Sequence, residues 1–116
     1  MADITIYHNP RCSKSRQTLE LLQENTISPE IILYLETPPS KSEIKSLLNK
    51  LGITARELLR SSEDAYKEGN LADTSLTEEQ LIDAMLANPK LIERPIVVAG
   101  ENAVIGRPPE NVLALI

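Results

Sequence analysis

The first 35 residues contain a strand–helix–strand pattern, which restricts the possible folds more than any other feature of the chain. Residues 3–7 alternate polar and β-branched side chains, as is typical of a short strand. Apolar side chains then recur at helical spacing over Ser13–Glu24. Residues 30–35 are almost continuously apolar, which predicts a strand buried on both faces. Two strands joined by one helix form a βαβ unit, so we expect these strands to pair in parallel.

The middle of the chain is predicted to be helical. Three capping boxes mark helix starts: Ser40-x-x-Glu43, Thr54-x-x-Glu57 and Thr77-x-x-Gln80. The first helix should stop at Gly52, the second near Arg60, and the third before Asn88, because a proline follows that asparagine. The polar segment 61–69 predicts a surface helical turn.

The last part of the chain returns to strands. Residues 96–98 and 103–105 are predicted strands joined by a hairpin turn at 99–102, and residues 109–116 a short helix with proline near its start. This order is that of an α/β thioredoxin-like fold with a helical insertion between the second and third strands. Other small α/β sandwiches share it.

The length of 116 residues predicts one compact domain, and the order of elements makes the expectation a single thioredoxin-like domain over residues 1–116. Its core is expected at about 1–36 and 94–116, with the helical insertion at about 37–93.

Composition excludes several classes of protein. A net charge of −5 with 41% hydrophobic residues is unlike a disordered tail or a nucleic-acid binder. Since the chain lacks Phe and Trp, its core must be aliphatic. No apolar run approaches the roughly 20 residues that span a bilayer, and no signal peptide is visible. We therefore expect no nucleic-acid or membrane partner and a cytoplasmic location.

The single cysteine, Cys12, lies where the first strand gives way to the first helix. Four basic or imidazole residues surround it in sequence: His8, Arg11, Lys14 and Arg16. Positive charge and a helix N-terminus favour a thiolate, and such N-termini bind oxyanions. We interpret Cys12 as a reactive thiol, against the alternative of a buried structural cysteine. With one cysteine and one histidine, no structural zinc site is expected.

Two neighbours are candidates for assisting this thiol. Ser15 occupies the last position of a Cys-x-x-Ser motif and could hydrogen-bond the thiolate, or could simply be a first-turn helix residue. His8 could orient or help deprotonate Cys12, or could be a loop histidine bonded to the backbone.

Three arginines are candidates for binding an oxyanion. Arg94 and Arg107 precede prolines beside strand ends, where a guanidinium can clamp an anion through two hydrogen bonds. Arg60 follows a short helix, where interaction with the helix dipole would also explain it. Arg56 is expected on a solvent face and would serve as a control.

Taken together, the chain resembles the glutaredoxin-coupled arsenate reductase family, most closely its arsenate-reductase-like housekeeping branch. The resemblance covers essentially the whole chain. It rests on IYHNP at 6–10 with Cys12 and Ser15-Arg16, on ILYLETP at 32–38, on ARELLR at 55–60, on ERPIVV at 93–98 and on IGRP at 105–108.

The resemblance implies the site and the reaction. Cys12 would be the nucleophile, His8 and Ser15 would tune its thiolate, and Arg60, Arg94 and Arg107 would bind arsenate. A cis peptide bond is implied before Pro95. Glutathione would be the co-substrate and glutaredoxin the protein partner that complete reduction to arsenite, with no bound cofactor and no metal.

Two other functions remain as alternatives. Non-enzymatic thiol-based regulators that bind RNA polymerase share this fold, but they typically carry Cys-x-x-Cys where this chain has Ser15. A transferase-like glutathione binder would need a glutathione pocket, which sequence alone does not reveal.

Overall fold

The structure is a computed structural model that describes residues 4–116. Its helices and strands, in chain order, are β1 (Ile4–His8), α1 (Ser13–Glu24), β2 (Glu30–Leu33), α2 (Lys41–Leu51), α3 (Ala55–Leu58), α4 (Asp64–Glu68), α5 (Glu78–Ala87), β3 (Ile96–Ala99) and β4 (Asn102–Ile105), with 3-10 helices at Pro89–Leu91 and Pro109–Leu115. The first residue of the predicted first strand, Asp3, lies outside the described residues. The chain divides into two compact units, described here as residues 4–37 with 94–116, and residues 38–93.

The first unit contains a four-stranded sheet in the order β2-β1-β3-β4. β1 and β2 pair in parallel with Ile6 opposite Ile31, so the predicted parallel pair is confirmed. β3 runs antiparallel to both β1 and β4. β3 and β4 form the predicted hairpin, whose turn places Gly100 at a φ of +62°, in the left-handed region that favours glycine.

The prediction that the second strand is buried on both faces is wrong. β2 ends at Leu33, where the carbonyl accepts hydrogen bonds from the N–H groups of Glu36 and Thr37 at 2.9 and 2.8 Å and turns the chain. β2 is also an edge strand, so its side chains have a neighbouring strand on one side only. As a result Ile31 is 45% exposed.

The main core cluster of the first unit is aliphatic, as the composition predicts, but the same unit also buries the aromatic side chain of Tyr34. The cluster is formed by Ile4, Ile6, Leu22, Val97, Ala99 and Val112. α1 and the 3-10 helix Pro109–Leu115 pack against each other and contact the sheet. The end of β4 approaches α1 so closely that a Cβ added at Gly106 would lie 2.6 Å from Thr18 Oγ1 and 2.9 Å from Pro95 Cγ.

The second unit contains α2 to α5, and all three predicted capping boxes are formed. α2 ends at Gly52 with a φ of +69°. The Lys41 and Lys45 ammonium groups of α2 lie 2.5 and 2.8 Å from the Glu79 carboxylate of α5, and they lower the Glu79 pKa to about 2. α4 buries no side chain, which fits the predicted surface turn. No helix in residues 4–116 has the length and apolar character needed to cross a membrane.

Candidate functional site

The turn between β1 and α1 presents the cysteine. The Cys12 N–H donates to the Asn9 carbonyl at 3.0 Å, and the Asn9 side-chain oxygen accepts the Arg11 N–H at 3.0 Å. Cys12 is the N-cap of α1 in an extended conformation, and its carbonyl accepts the Arg16 N–H at 3.0 Å. Because its side chain makes no capping hydrogen bond, the half-buried Sγ is available to other groups.

His8 and Ser15 pair with each other beneath this turn. His8 Nδ1 lies 2.7 Å from Ser15 Oγ, which also accepts the Asn9 N–H at 3.0 Å. All three residues are buried, and Ser15 is fully so. The pair ties the last residue of β1 to the first turn of α1, and thereby holds the turn that carries Cys12.

The electrostatics of His8 favour an uncharged ring. Burial lowers the His8 pKa below its usual 6.5, and the nearby positive charge of Arg16 lowers it further. The imidazole is therefore mostly neutral at pH 7, with Nδ1 engaged by the Ser15 hydroxyl. Ser15 lies in the first turn of α1, as one of its two interpretations expects, but its contact with His8 was not among the interpretations of either residue. Spacing alone did not indicate it, because the two residues are seven positions apart on different elements.

Arg107 reaches the cysteine from the segment after β4. Its Nη2 donates toward Cys12 Sγ at 3.4 Å, and its Nε donates to the Arg94 carbonyl at 2.7 Å. The two hydrogen bonds orient the guanidinium, and one of them directs positive charge at the sulfur. A thiolate would be stabilised by this contact.

Arg94 belongs to the same unit and supports Arg107 through its main chain. The Arg94–Pro95 peptide bond is cis, which confirms the expectation drawn from the resemblance. The Arg107–Pro108 bond is cis as well, which no feature of the sequence had indicated. The structure therefore brings Cys12, His8, Ser15, Arg94 and Arg107 into one unit.

Arg60 lies in the second unit, where two carboxylates engage it. Its guanidinium is 2.8 Å from a Glu63 oxygen and 3.3 Å from a Glu93 oxygen, and its backbone N–H donates to the Leu91 carbonyl. An anion bound by Arg60 would compete with both glutamates.

The expectation that Arg56 lies on a solvent face is wrong. Its guanidinium is half-buried and donates to the carbonyls of Leu71 and Asp73, at 2.8 Å in each case. The guanidinium satisfies main-chain acceptors of the segment after α4, so Arg56 is unsuitable as a neutral control.

A groove of about 260 Å³ adjoins the cysteine turn. It is lined by His8, Asn9, Pro10, Arg11, Leu33, Leu35 and Glu36. The amino-acid sequence gives no signal for this groove, because its two walls come from segments more than twenty residues apart. Among the residues that the structure describes, no group of three or more His, Cys, Asp or Glu side chains is placed to hold a metal ion.

The sheet order and the helices inserted between β2 and β3 place the protein in the class of thioredoxin-like α/β proteins. The model of the ArsC family matches residues 7–115, and the chain belongs to that family.

Known relatives and solved structures agree with this assignment. The chain is 62% identical to the uncharacterized protein YfgD of Escherichia coli K12, over 97% of this chain and 96% of the relative. It is 48% identical to an arsenate reductase of Neisseria meningitidis serogroup B, over the full length of both chains. A solved arsenate reductase from Vibrio cholerae superposes with a TM-score of 0.96 at 51% identity, covering 99% of this chain and 98% of that one. The resemblance to an arsenate-reductase-like family is confirmed.

Proposed function

We propose that this protein is an arsenate reductase whose nucleophile is Cys12. The observation that carries the proposal is the position of the Arg107 guanidinium, which lies 3.4 Å from Cys12 Sγ. A separate hydrogen bond to the Arg94 carbonyl holds it there. A cation fixed beside a thiol can favour the thiolate and also bind the negative oxygens of a substrate. The arsenate reductases among the relatives of the chain support arsenate as that substrate.

Arsenate would bind beside Cys12 as an oxyanion. Arg107 and Arg94 would supply charge-assisted hydrogen bonds, and the N-terminus of α1 would add N–H donors of favourable polarity. α1 has no acidic residue in its first turn, so no carboxylate there opposes an anion. Arg60 stays in the proposal as a third arginine on the strength of the resemblance alone.

The first chemical step forms a sulfur–arsenic bond. The Cys12 thiolate attacks arsenic(V), and one arsenate oxygen leaves as water after protonation. Arsenic is still pentavalent in this adduct. The proposed roles of His8 and Ser15 are to hold the turn and tune the thiolate, since their hydrogen bond anchors the start of α1.

The second step reduces arsenic and needs an external thiol, because the chain has one cysteine. The glutathione thiolate attacks Cys12 Sγ, the sulfur–arsenic bond breaks, and its electron pair passes to arsenic. Arsenite, with arsenic(III), leaves, and Cys12 forms a mixed disulfide with glutathione. A glutaredoxin thiol then attacks the glutathione sulfur and releases the Cys12 thiolate. No bound cofactor takes part in this scheme.

Arsenite production tests the proposal. The wild-type protein and Cys12→Ser are incubated with arsenate, glutathione and glutaredoxin, and arsenite is measured over many turnovers. We expect sustained turnover by the wild type, none by Cys12→Ser, and at most one equivalent of adduct when glutathione is omitted. Equal rates for the two proteins would refute the proposal. No reduction by a folded wild type would favour the non-enzymatic, thiol-based regulator.

A further inference from the structure

Arg60 lies where two segments of the second unit are joined by main-chain hydrogen bonds. The Arg60 N–H donates to the Leu91 carbonyl at 2.8 Å, and the Glu93 N–H donates to the Leu58 carbonyl at 2.9 Å. Leu58 and Leu91 are both buried. These bonds fix the main chain at Arg60 and at Glu93, so the Glu93 carboxylate is offered to the guanidinium from a rigid position.

The guanidinium of Arg60 is engaged by two carboxylates through different nitrogens. Nη1 donates to a Glu63 oxygen at 2.8 Å, and Nε lies 3.3 Å from a Glu93 oxygen. One positive charge therefore faces two negative charges, and the cluster as a whole is negative. The side chains of Arg60, Glu63 and Glu93 are 16%, 26% and 25% exposed, so dissolved anions can reach the cluster. An anion that approaches Arg60 is repelled until one carboxylate moves away.

The two carboxylates differ in how easily they can leave. Glu93 follows the buried Ile92, and its own N–H is bonded to the Leu58 carbonyl. Glu63 is the N-cap of α4, but its side chain does not cap that helix, and α4 buries no side chain. Glu63 also contacts Nη1, at the outer end of the guanidinium, whereas Glu93 contacts Nε, next to the aliphatic stem. Rotation of the Glu63 side chain therefore frees the edge of Arg60 that can clamp an oxyanion through two hydrogen bonds.

We propose that Glu63 is an autoinhibitory carboxylate, which blocks Arg60 in the free protein and is displaced when an oxyanion binds. Glu93 keeps its contact with Nε throughout and orients the guanidinium. Glu63 acts through Arg60 and is not itself a ligand of the substrate, so it sets the concentration of oxyanion that the protein needs. The inference rests on the proposed function in one respect, that Arg60 shares the oxyanion bound beside Cys12.

Steady-state kinetics with arsenate separate this role from a structural one. Glutamine is nearly isosteric with glutamate but lacks its charge, so Glu63→Gln weakens the competing contact and keeps the packing. We expect Glu63→Gln to lower KM for arsenate by about two- to fivefold, the range for exposed ion pairs, and to leave kcat unchanged. Glu93→Gln should raise KM, because the guanidinium loses the contact that orients it. In an Arg60→Ala background, Glu63→Gln should have no effect on KM.

Inorganic phosphate measures the same displacement without arsenate reduction. Phosphate is a tetrahedral oxyanion that the thiol does not reduce, and a phosphate bound beside Cys12 should slow alkylation of the sulfur by iodoacetamide. The alkylation rate is followed against phosphate concentration at constant ionic strength. The half-protecting phosphate concentration should fall by about two- to fivefold in Glu63→Gln and rise in Glu93→Gln. Absence of protection in the wild type and in every variant would overturn the proposal.

Asp64→Asn is the matched control. Asp64 is the exposed first residue of α4, and within residues 4–116 its carboxylate forms no ion pair. The control removes the same charge one residue from Glu63, and it should leave both KM and the half-protecting phosphate concentration unchanged. The proposal is overturned if Glu63→Gln leaves both quantities at their wild-type values or raises them, or if Asp64→Asn lowers them equally. A protein that makes no arsenite but shows the phosphate effect would refute the proposed function and leave this inference standing.

Discussion

Replacement of Arg107 by alanine tests the contact on which the proposed site depends. The change removes the Nη2 donor 3.4 Å from Cys12 Sγ and the Nε bond of 2.7 Å that orients it. A hydrogen bond to a charged group contributes about 1.5–3 kcal/mol, and each 1.4 kcal/mol is about tenfold in rate. Because Arg107 is only half-buried, solvent weakens the interaction. We therefore expect kcat/KM for arsenate to fall by about ten- to a hundredfold, nearer the lower figure.

Lysine at the same position separates charge from geometry. A single ammonium group keeps the positive charge, but it lacks the planar fork by which Arg107 bonds Arg94 and Cys12 at the same time. Arg107→Lys should therefore recover only part of the activity. Arg94→Ala keeps the carbonyl that anchors Arg107, so any activity lost in this variant reports the Arg94 guanidinium alone.

Steady-state arsenite formation with glutathione and glutaredoxin measures kcat/KM for these variants. The rate of Cys12 alkylation by iodoacetamide at pH 7 gives a second readout without arsenate. Alkylation should slow in Arg107→Ala, since a cation near the sulfur favours the thiolate. Lys14→Ala changes the net charge equally at an exposed position and should alter kcat/KM by less than about threefold. If Lys14→Ala and Arg107→Ala lost activity equally, general positive charge rather than the Arg107 contact would be responsible.

Three further predictions concern the turn, the packing and the helix starts. The imidazole of His8, the single histidine, should titrate by NMR with a pKa below 6.5, because burial disfavours the charged ring. Since the unfolded chain then binds more protons, the free energy of unfolding should fall as pH drops through 6.5, an effect that His8→Asn should remove; a midpoint at or above 6.5 would contradict this. Gly106→Ala should lower the free energy of unfolding in urea by about 1–3 kcal/mol, because its Cβ would lie 2.6 Å from Thr18 Oγ1. With Thr18→Ala in the same chain the combined loss should be smaller than the sum, whereas strict additivity would argue against the clash. Ser40→Ala should cost about 1 kcal/mol through its lost cap, while the exposed mid-helix Ser46→Ala should cost nothing; similar losses would exclude capping as the cause.

Helix starts and the order of strands and helices along the chain were predictable because their signals are local. A capping box satisfies backbone N–H groups within four residues, so Ser40-x-x-Glu43 places the start of α2 without knowledge of the rest of the chain. The apolar run at 30–35 was harder to interpret. It has the composition of a strand covered on both faces, but the position of β2 at the sheet edge depends on how β3 pairs with β1.

The candidate site likewise has one part that local sequence could predict and one part that it could not. Cys12 was predictable as a helix-start thiol, since charge and helix position are properties of its sequence neighbours. The contact of Arg107 with that thiol joins residues 95 positions apart, and only the resemblance to a known family suggested that they belong together. Arg56 shows the opposite error, because its sequence neighbours gave no indication of the two carbonyls that its guanidinium binds.

The amino-acid sequence by itself determined the kind of chemistry that this protein can perform: one thiol, no second cysteine to resolve it, and cations placed around it. Tertiary structure decided which of those groups meet. The carboxyl ends of β1 and β4 lie at the same edge of the sheet on either side of β3, so Arg107 reaches Cys12 Sγ, and the imidazole of His8 contacts the Ser15 hydroxyl. The tertiary structure also formed the groove between residues 9–11 and the segment after β2. The physical reason is that capping and helix periodicity act within a few residues, whereas hydrogen bonds between distant segments exist only after the strands have paired.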